Sequence, residues 1–505
     1  MALSRPLVDT KNRAPIVQSV QGVSGSGTTQ YAVELAYRFG YFFKGVHWVD
    51  GSRPGAIGAE IAACGAAMGL SDWPDELPAQ IDRTLREWSR PNLHLLILDN
   101  IDDVAAAQVW LDQLAIGALR LVITTVRDDW PADARLEGLT PEDSRSLLRA
   151  YVPERQASDA DLDRLAERLR HMPLALDLAG RYLAQQPQLT VAGYSRKLAR
   201  ARKPMDGLLP ASIESASALA VSLDLAEPAA RRLFLAAGYC APDQPIPAEI
   251  LRRVAGLDEA ECDRQLTGLI DLGLIAPAAP GVGPIIHPLA ARFARSVAKT
   301  DAERGKRISA ASGEGAAEAT SILTGVADVL GVLTYQVTEN DPEASHLFRP
   351  HLEAAALAAD GAGLAQAGTL WNNLGYYRKT AGDLAGAREV FERALTLNVA
   401  LYGRDHPNVA RDLNNMGLVL HEQGELSGAR TLIERALEID RAAPGENSLT
   451  IAADLSNLAG VLQDQGEVEA ARSAFEEALA VFEARLPADH PYVGIARDNL
   501  KALAS

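Results

Sequence analysis

Residues 22–30, Gly-Val-Ser-Gly-Ser-Gly-Thr-Thr-Gln, put three glycines and four hydroxyl side chains into nine positions. Glycines let successive backbone N–H groups turn inward, and a following helix offers its positive end to an anion. The phosphate-loop pattern is G-x-x-x-x-G-K-[ST]. Gly22 and Gly27 hold its glycine positions, Thr29 holds the hydroxyl that faces magnesium, and Thr28 stands where the lysine belongs. Ser24, Gly25, Ser26 and Gln30 complete the candidate phosphate-facing set. Losing the lysine removes a charge-assisted contact of about 1.5–3 kcal/mol. Hydrolysis should suffer more than binding, because the transition state draws most on charge stabilisation.

The elements around the loop follow from apolar patterning. Residues 15–20, 45–50, 93–99 and 119–125 are short apolar runs, and helical stretches such as 30–39 and 54–68 separate them. That alternation predicts a parallel sheet with right-handed crossovers. Ligands of such sheets bind at the carboxyl ends of the strands. The glycine loop, Asp99 and the segment Thr125-Val126-Arg127 all fall there. After residue 130 the pattern predicts no further strands. Residues 141–151, 159–170 and 173–185 have helical spacing, as do 228–238, 247–255 and 258–272. A glycine turn at Gly273 and the run Pro284-Ile285-Ile286-His287 then give a winged-helix outline. Residues 300–340 are weakly patterned, with a Gly/Ala/Ser-rich stretch at 310–315, and read as a joining segment.

The remainder repeats with a step of 42 residues. Asn373, Asn415, Asn457 and Asn499 keep that step, as do Gly382, Gly424 and Gly466. Each unit is a helix, a Gly-Asp/Glu turn and a second helix. One unit cannot bury its own apolar face, so neighbours must stack into a superhelix. Small residues at Gly375, Gly417 and Ala459 let paired helices approach. His406 and His490 sit in Asp-His-Pro loops, where capping and turn roles suffice.

A net charge of −17 disfavours sequence-blind binding to nucleic acid or anionic membrane. The basic run Arg196, Lys197, Arg200, Arg202 and Lys203 reads as a solvated helix end. Three scattered cysteines form neither a disulfide framework nor a metal spacing. No signal-like segment and no run of 18 apolar residues is present, so a cytoplasmic protein is expected.

From about residue 15 to 300 the motif order resembles NB-ARC modules, the nucleotide switches of STAND signalling ATPases. Residues 22–29 resemble a degenerate Walker A loop. Residues 95–103, including Asp99, Asn100 and Asp102, look like Walker B, with Asn100 in place of a second acid as in bacterial relatives. Thr124-Thr125-Val126-Arg127 is similar to the sensor segment whose arginine reads the terminal phosphate. His171-Met172-Pro173-Leu174-Ala175-Leu176 resembles the Gly-Leu-Pro-Leu-Ala motif, whose proline lies against adenine. His287 falls where the winged-helix histidine touches the ADP phosphate. The 42-residue units resemble tetratricopeptide repeats of the kinesin-light-chain kind, whose groove asparagines bind a peptide backbone; Asn373, Asn415, Asn457 and Asn499 match them. A Gly-Arg-Glu segment, usual ahead of the first strand, is not found before residue 15.

The resemblance implies an α/β P-loop-like nucleotide-binding domain (15–132) after a short polar N-terminus (1–14). It implies a helical domain (133–207), a winged-helix domain (208–300), the joining segment (301–340) and an all-α tetratricopeptide solenoid (341–505). ADP or ATP with Mg2+ is the implied cofactor set, with Thr29 and Asp99 on the metal side and Asp99 the catalytic candidate. The implied function is a regulatory switch with weak or absent hydrolysis. A protein or peptide partner would sit in the groove, activation would involve a homo-oligomer, and a separate effector protein would supply output. Two other functions stay open: a scaffold with a nucleotide-independent pseudo-NTPase domain, and an enzyme using the former nucleotide cleft. Each residue also has a plainer role. The loop is then a strand–helix turn, Asp99 a strand-end cap, Arg127 a local ion-pair partner, His287 a packed histidine, Pro173 a helix start, and the asparagines packing groups.

Overall fold

The computed structural model describes residues 4–9, 12, 14–101, 103–127, 130–201, 212–278, 282–312, 322–340, 342–443 and 448–503. Asp102, Arg202, Lys203 and part of the 310–315 stretch lie outside them. The chain forms two compact units, Met1–Val326 and Ala327–Ser505. The boundary falls inside the 301–340 segment, which is helical over Ile322–Asn340.

In the first unit, strands β1 (Ile16–Gly22), β2 (Gly45–Asp50), β3 (His94–Asp99), β4 (Arg120–Thr125) and β5 (Ala134–Leu136) form one sheet in the order β2-β3-β4-β1-β5. Every pairing is parallel. β3 and β4 are buried at each position, as continuous apolar runs require when both faces of a sheet are covered. Alternate residues feed opposite cores. Leu96, Leu98, Leu121 and Ile123 pack with Ile57, Ile61 and Trp88, while Leu95, Ile97 and Val122 pack with Val20, Ala32 and Leu35.

β5 corrects the expectation that strands end before residue 130. It pairs with β1, Val20 opposite Ala134 and Gly22 opposite Leu136. Two half-exposed residues flanking an exposed Arg135 carry no periodicity of their own, and the open edge of β1 makes them a strand. The helix Leu77–Trp88 is a second element that sequence patterning did not single out. Before β1, the chain is pinned by Arg120. Its buried guanidinium donates to the carbonyls of Leu7, Asp9, Asn12 and Ala14.

Helices Pro141–Tyr151, Asp159–Arg168 and Pro173–Gln185 follow, the first two capped by Thr140 and Ser158. Arg196, Lys197 and Arg200 lie exposed on helix Val191–Ala201. Four more helices, Ile213–Leu223, Pro228–Ala237, Ala248–Ala255 and Glu259–Asp271, lead to antiparallel bridges joining Ile285 to Pro245 and Ala276. Among the described residues no helix is long and apolar enough to cross a membrane.

The second unit is a stack of helix pairs: Ala367–Thr380 with Leu384–Tyr402, Pro407–Glu422 with Leu426–Ala442, and Ser448–Asp464 with Val468–Arg485. Gly382, Gly424 and Gly466 make the tight turns at φ 78°, 78° and 82°, a region side chains disfavour. A Cβ on Gly375 would lie 2.6 Å from the Phe391 ring, and one on Gly417 2.6 Å from Ile433. Close helix approach is therefore what these glycines permit.

Successive pairs are also joined by buried polar seams. In the first, Asp412 accepts from Asn372 (2.8 Å) and Asn398 (2.6 Å), with Arg411 3.5 Å away. Burial pushes the Asp412 carboxyl up to about 6, opposed by those donors. Forty-two residues later, Asp440 replaces Asn398 and Ala453 replaces Arg411. Asp440 therefore hydrogen-bonds Asp454, and burial with that second carboxyl pushes Asp454 well above the carboxylate range. Substituting Gly417→Val should destabilise the repeat unit by about 2–3 kcal/mol through overpacking. Urea denaturation of the full chain, followed by far-UV circular dichroism, measures it.

Candidate functional site

The glycine loop leaves β1 at Gly22 and enters helix Thr28–Phe39 through Gly27, at φ 97°. Gly25, at φ 89°, forms the apex, and Ser26 N–H closes a turn on the Val23 carbonyl at 2.9 Å. A Cβ on Gly22 would stand 2.2 Å from Ser26 Oγ and 2.9 Å from Thr28 Cγ2. Thr28 is 8% exposed, so the side chain at the lysine position is tucked into the base of the loop.

Asp99 ends β3 beside it. Thr29 Oγ1 lies 3.1 Å from both carboxylate oxygens, Thr124 donates a short hydrogen bond, and Asn100 Nδ2 lies at 3.4 Å. Asn100 holds a left-handed φ of 60°, and its N–H donates to Thr124 Oγ1 at 2.9 Å. Burial raises the Asp99 pKa, the hydroxyl donors oppose it, and Asp50 across the sheet adds to the rise.

Asn100 Nδ2 also reaches Asp243 Oδ2 at 3.2 Å, 143 positions away in sequence. Asp243, at φ 58°, donates its N–H to the Ile286 carbonyl at 3.0 Å. Burial, then the carboxylates of Asp99 and Asp50, push Asp243 up to about 7. A continuous chain of hydrogen bonds thus runs from Thr29 to the residue before His287.

Pro173 occupies the first turn of its helix, and Leu174 N–H faces the Gly25 carbonyl at 3.5 Å. The sequence neighbours of the expected adenine contact therefore pack on the loop apex. His171 bonds Ser144 Oγ through Nδ1 at 2.9 Å. His287 Nδ1 accepts from Leu289 N–H at 3.1 Å, capping the helix that starts at Pro288. That acceptor role puts the proton on Nε2. Burial lowers its pKa to about 4, so at neutral pH the ring is uncharged with Nε2–H as a donor. His406 and His490 cap their helices in the same way, as the His-Pro loops predict. Arg127 is exposed at the end of β4, and its carbonyl accepts from Gln21 Nε2 at 2.5 Å.

The donor set suits a polyphosphate with a divalent cation. Ser26 Oγ is buried without a partner among the described residues. Thr29 and Asp99 supply the hard oxygens that magnesium prefers. Gln30 lies on the first turn of the loop helix and Ser24 on the loop itself. Thr124 and Asp243 were not singled out from sequence. Thr124 stood inside a quoted motif without a role, whereas nothing local marks Asp243.

In the second unit, Asn373 is committed to packing: its amide donates to Gly331 O at 2.8 Å and Thr334 Oγ1 at 3.0 Å. Asn415 donates to Asn372 at 3.3 Å and Asn457 to Asn414 at 3.1 Å, each leaving its own side-chain oxygen without a partner among the described residues. Asn499 is half-buried near the end of the stack. Trp371 is core, its indole N–H donating to Asp360 at 3.1 Å.

Family models of the tetratricopeptide repeat match residues 366–442 and 453–492. The stacked C-terminal helices are tetratricopeptide repeats. No curated protein matches the chain. Among solved structures, a STAND protein with a tetratricopeptide repeat sensor from Pyrococcus horikoshii is 14% identical, covering 99% of this chain and 79% of that one at a TM-score of 0.40. BtubC from P. vanneervenii is 18% identical, covering 41% and 80% at 0.31. A putative kinesin light chain from Podosopora anserina is 16% identical, covering 35% and 84% at 0.29.

Asp243 gives the site a pH dependence. Its folded pKa of about 7 lies above the ordinary carboxylate value of about 3.9. The folded state therefore holds a proton that the unfolded chain releases, and stability falls as pH rises from about 4 to about 7. Asp243→Asn should flatten that slope and raise the melting temperature at pH 8 by a few degrees, as thermal melts at pH 5 and pH 8 would show.

Proposed function

We propose that the first unit is a nucleotide-dependent regulatory switch of the NB-ARC type and that the repeats bind a protein or peptide partner. The observation that carries the first half is the cluster of Thr29, Asp99 and Thr124 beside a loop with two positive-φ glycines. Backbone N–H groups of residues 24, 25 and 27–29 hold the phosphates of ADP or ATP, the Ser26 N–H being taken by the Val23 carbonyl. Thr29 and Asp99 hold Mg2+, which supplies charge neutralisation when bound. Pro173 lies against the base, Arg127 reads the terminal phosphate, and His287 Nε2–H donates to a phosphate oxygen of the closed form.

Thr28 offers no charge, so binding outlasts catalysis. Asp99 orients the metal side, and any ATPase activity is slow. Residues 208–300 act as an internal winged-helix element, and Asn415, Asn457 and Asn499 present amides to a peptide backbone. Partner binding and nucleotide state shift one another's equilibria, leading to a homo-oligomer that engages a separate effector in the cytoplasm. A scaffold with a nucleotide-independent first unit is the second reading, favoured by the inward packing of Thr28 against Gly22.

Calorimetric titration separates the two. The switch requires ADP and ATP binding that Asp99→Ala weakens, with negligible phosphate release. Thr28→Lys should tighten ATP binding about tenfold, the equivalent of one charge-assisted contact. Absence of binding in every form leaves the scaffold. For the repeats, affinity capture with Asn415→Ala plus Asn457→Ala should lose a partner that the wild-type chain retains, and an identical partner set removes the asparagine groove.

A further inference from the structure

The helix Ile213–Leu223 carries serines at 215, 217 and 222, all buried. Ser217 behaves as helix serines ordinarily do, its hydroxyl returning to the Ile213 carbonyl at 2.8 Å. Ser215 and Ser222 are 0% exposed, and neither hydroxyl has a partner among the described residues. A buried hydroxyl without a hydrogen bond is a standing cost, so its surroundings decide whether a ligand removes that cost.

The surroundings of Ser215 are specific. A Cβ on Gly25, at the loop apex, would lie 3.7 Å from Ser215 Oγ. The neighbouring loop residue Ser26 carries the second orphaned hydroxyl, on a side chain that is 6% exposed. Two buried hydroxyls without a partner among the described residues thus flank one glycine loop, Ser215 Oγ at the Gly25 apex and Ser26 Oγ toward Gly22. Leu174 closes the same apex with its side chain and its N–H.

We propose that Ser215 is a phosphate-binding residue, its Oγ–H donating to a phosphate oxygen of the nucleotide in concert with Ser26 Oγ. This rests on the nucleotide reading above and adds to it a donor from outside the loop, in the place of a loop cation. Such a donor supplies a hydrogen bond without charge. It favours a bound diphosphate and adds little to a transition state. It also ties helix Ile213–Leu223 to whether phosphate is present.

The test is calorimetric titration of the full chain with ADP, and with adenosine as a probe lacking phosphate. Ser215→Ala should weaken ADP binding about tenfold, the loss of one hydrogen bond to a charged group. It should leave adenosine binding unchanged, and should melt no lower than wild type without nucleotide, because it deletes an unpartnered hydroxyl. Ser222→Ala, equally buried on the same helix, should leave ADP affinity unchanged, and Ser215→Thr, which keeps the hydroxyl, should retain most of it. Equal ADP affinity in wild type and Ser215→Ala overturns the proposal while leaving the nucleotide reading standing. A matching loss in Ser222→Ala, or of adenosine binding, makes the effect a packing one and overturns it too. Wild type that binds no ADP removes the nucleotide reading and this proposal together.

Discussion

A carboxylate buried at the end of a parallel strand must be met by donors, and Asp99 obtains them from three separate elements. Thr29 comes from the helix after the glycine loop, Thr124 from the neighbouring strand, and Asn100 from the turn that follows. Each donor fixes the position of its own element, so the loop is placed by the same contacts that make the carboxyl tolerable. Asn100 needs its left-handed backbone to serve both Asp99 and Asp243. The cost of burying Asp243, and then of concentrating Asp50 and Asp99 near it, appears in its upward displacement. Charge repulsion and hydrogen bonding are thus balanced at one point, and a divalent cation there would tip that balance.

The loop itself trades charge for hydroxyls. Gly22 is crowded by Ser26 and Thr28, Gly25 by Leu174 and, farther off, Ser215. A lysine at position 28 would project a point charge toward phosphate; a threonine can fold inward, and here it does. What remains is a cradle of N–H and O–H dipoles. Dipoles of this kind suit a ligand whose charge is already spread over several oxygens, and they serve poorly where new charge must be stabilised during reaction.

Local pattern made much of this visible before any coordinates. The glycine loop, the buried strands and the 42-residue step are statements about neighbours in sequence, and each element formed near its expected place. β5 escaped notice because three residues take their conformation from the edge of β1. Arg120 looked like one more charged residue, yet its guanidinium meets four carbonyls of the N-terminal segment. Asp243 meets Asn100 and Ser215 lies near Gly25, each pair more than a hundred positions apart, which no periodicity reports. Asn373 shared the step of its fellow asparagines but lies against Gly331 and Thr334, so an identical letter in each repeat did not guarantee an identical task.

The same lesson holds for the polar seams between helix pairs. The first is an aspartate with two amides and an arginine at hand, content to be ionised or nearly so. The second is two carboxyls that, among the described residues, have one another as side-chain partners, and burial raises both so that a hydrogen ion is retained between them. Units with matching backbones are thus not interchangeable bricks. Moving the third pair up the stack, or duplicating it, would carry along a joint that needs a captured proton where its predecessor needs none.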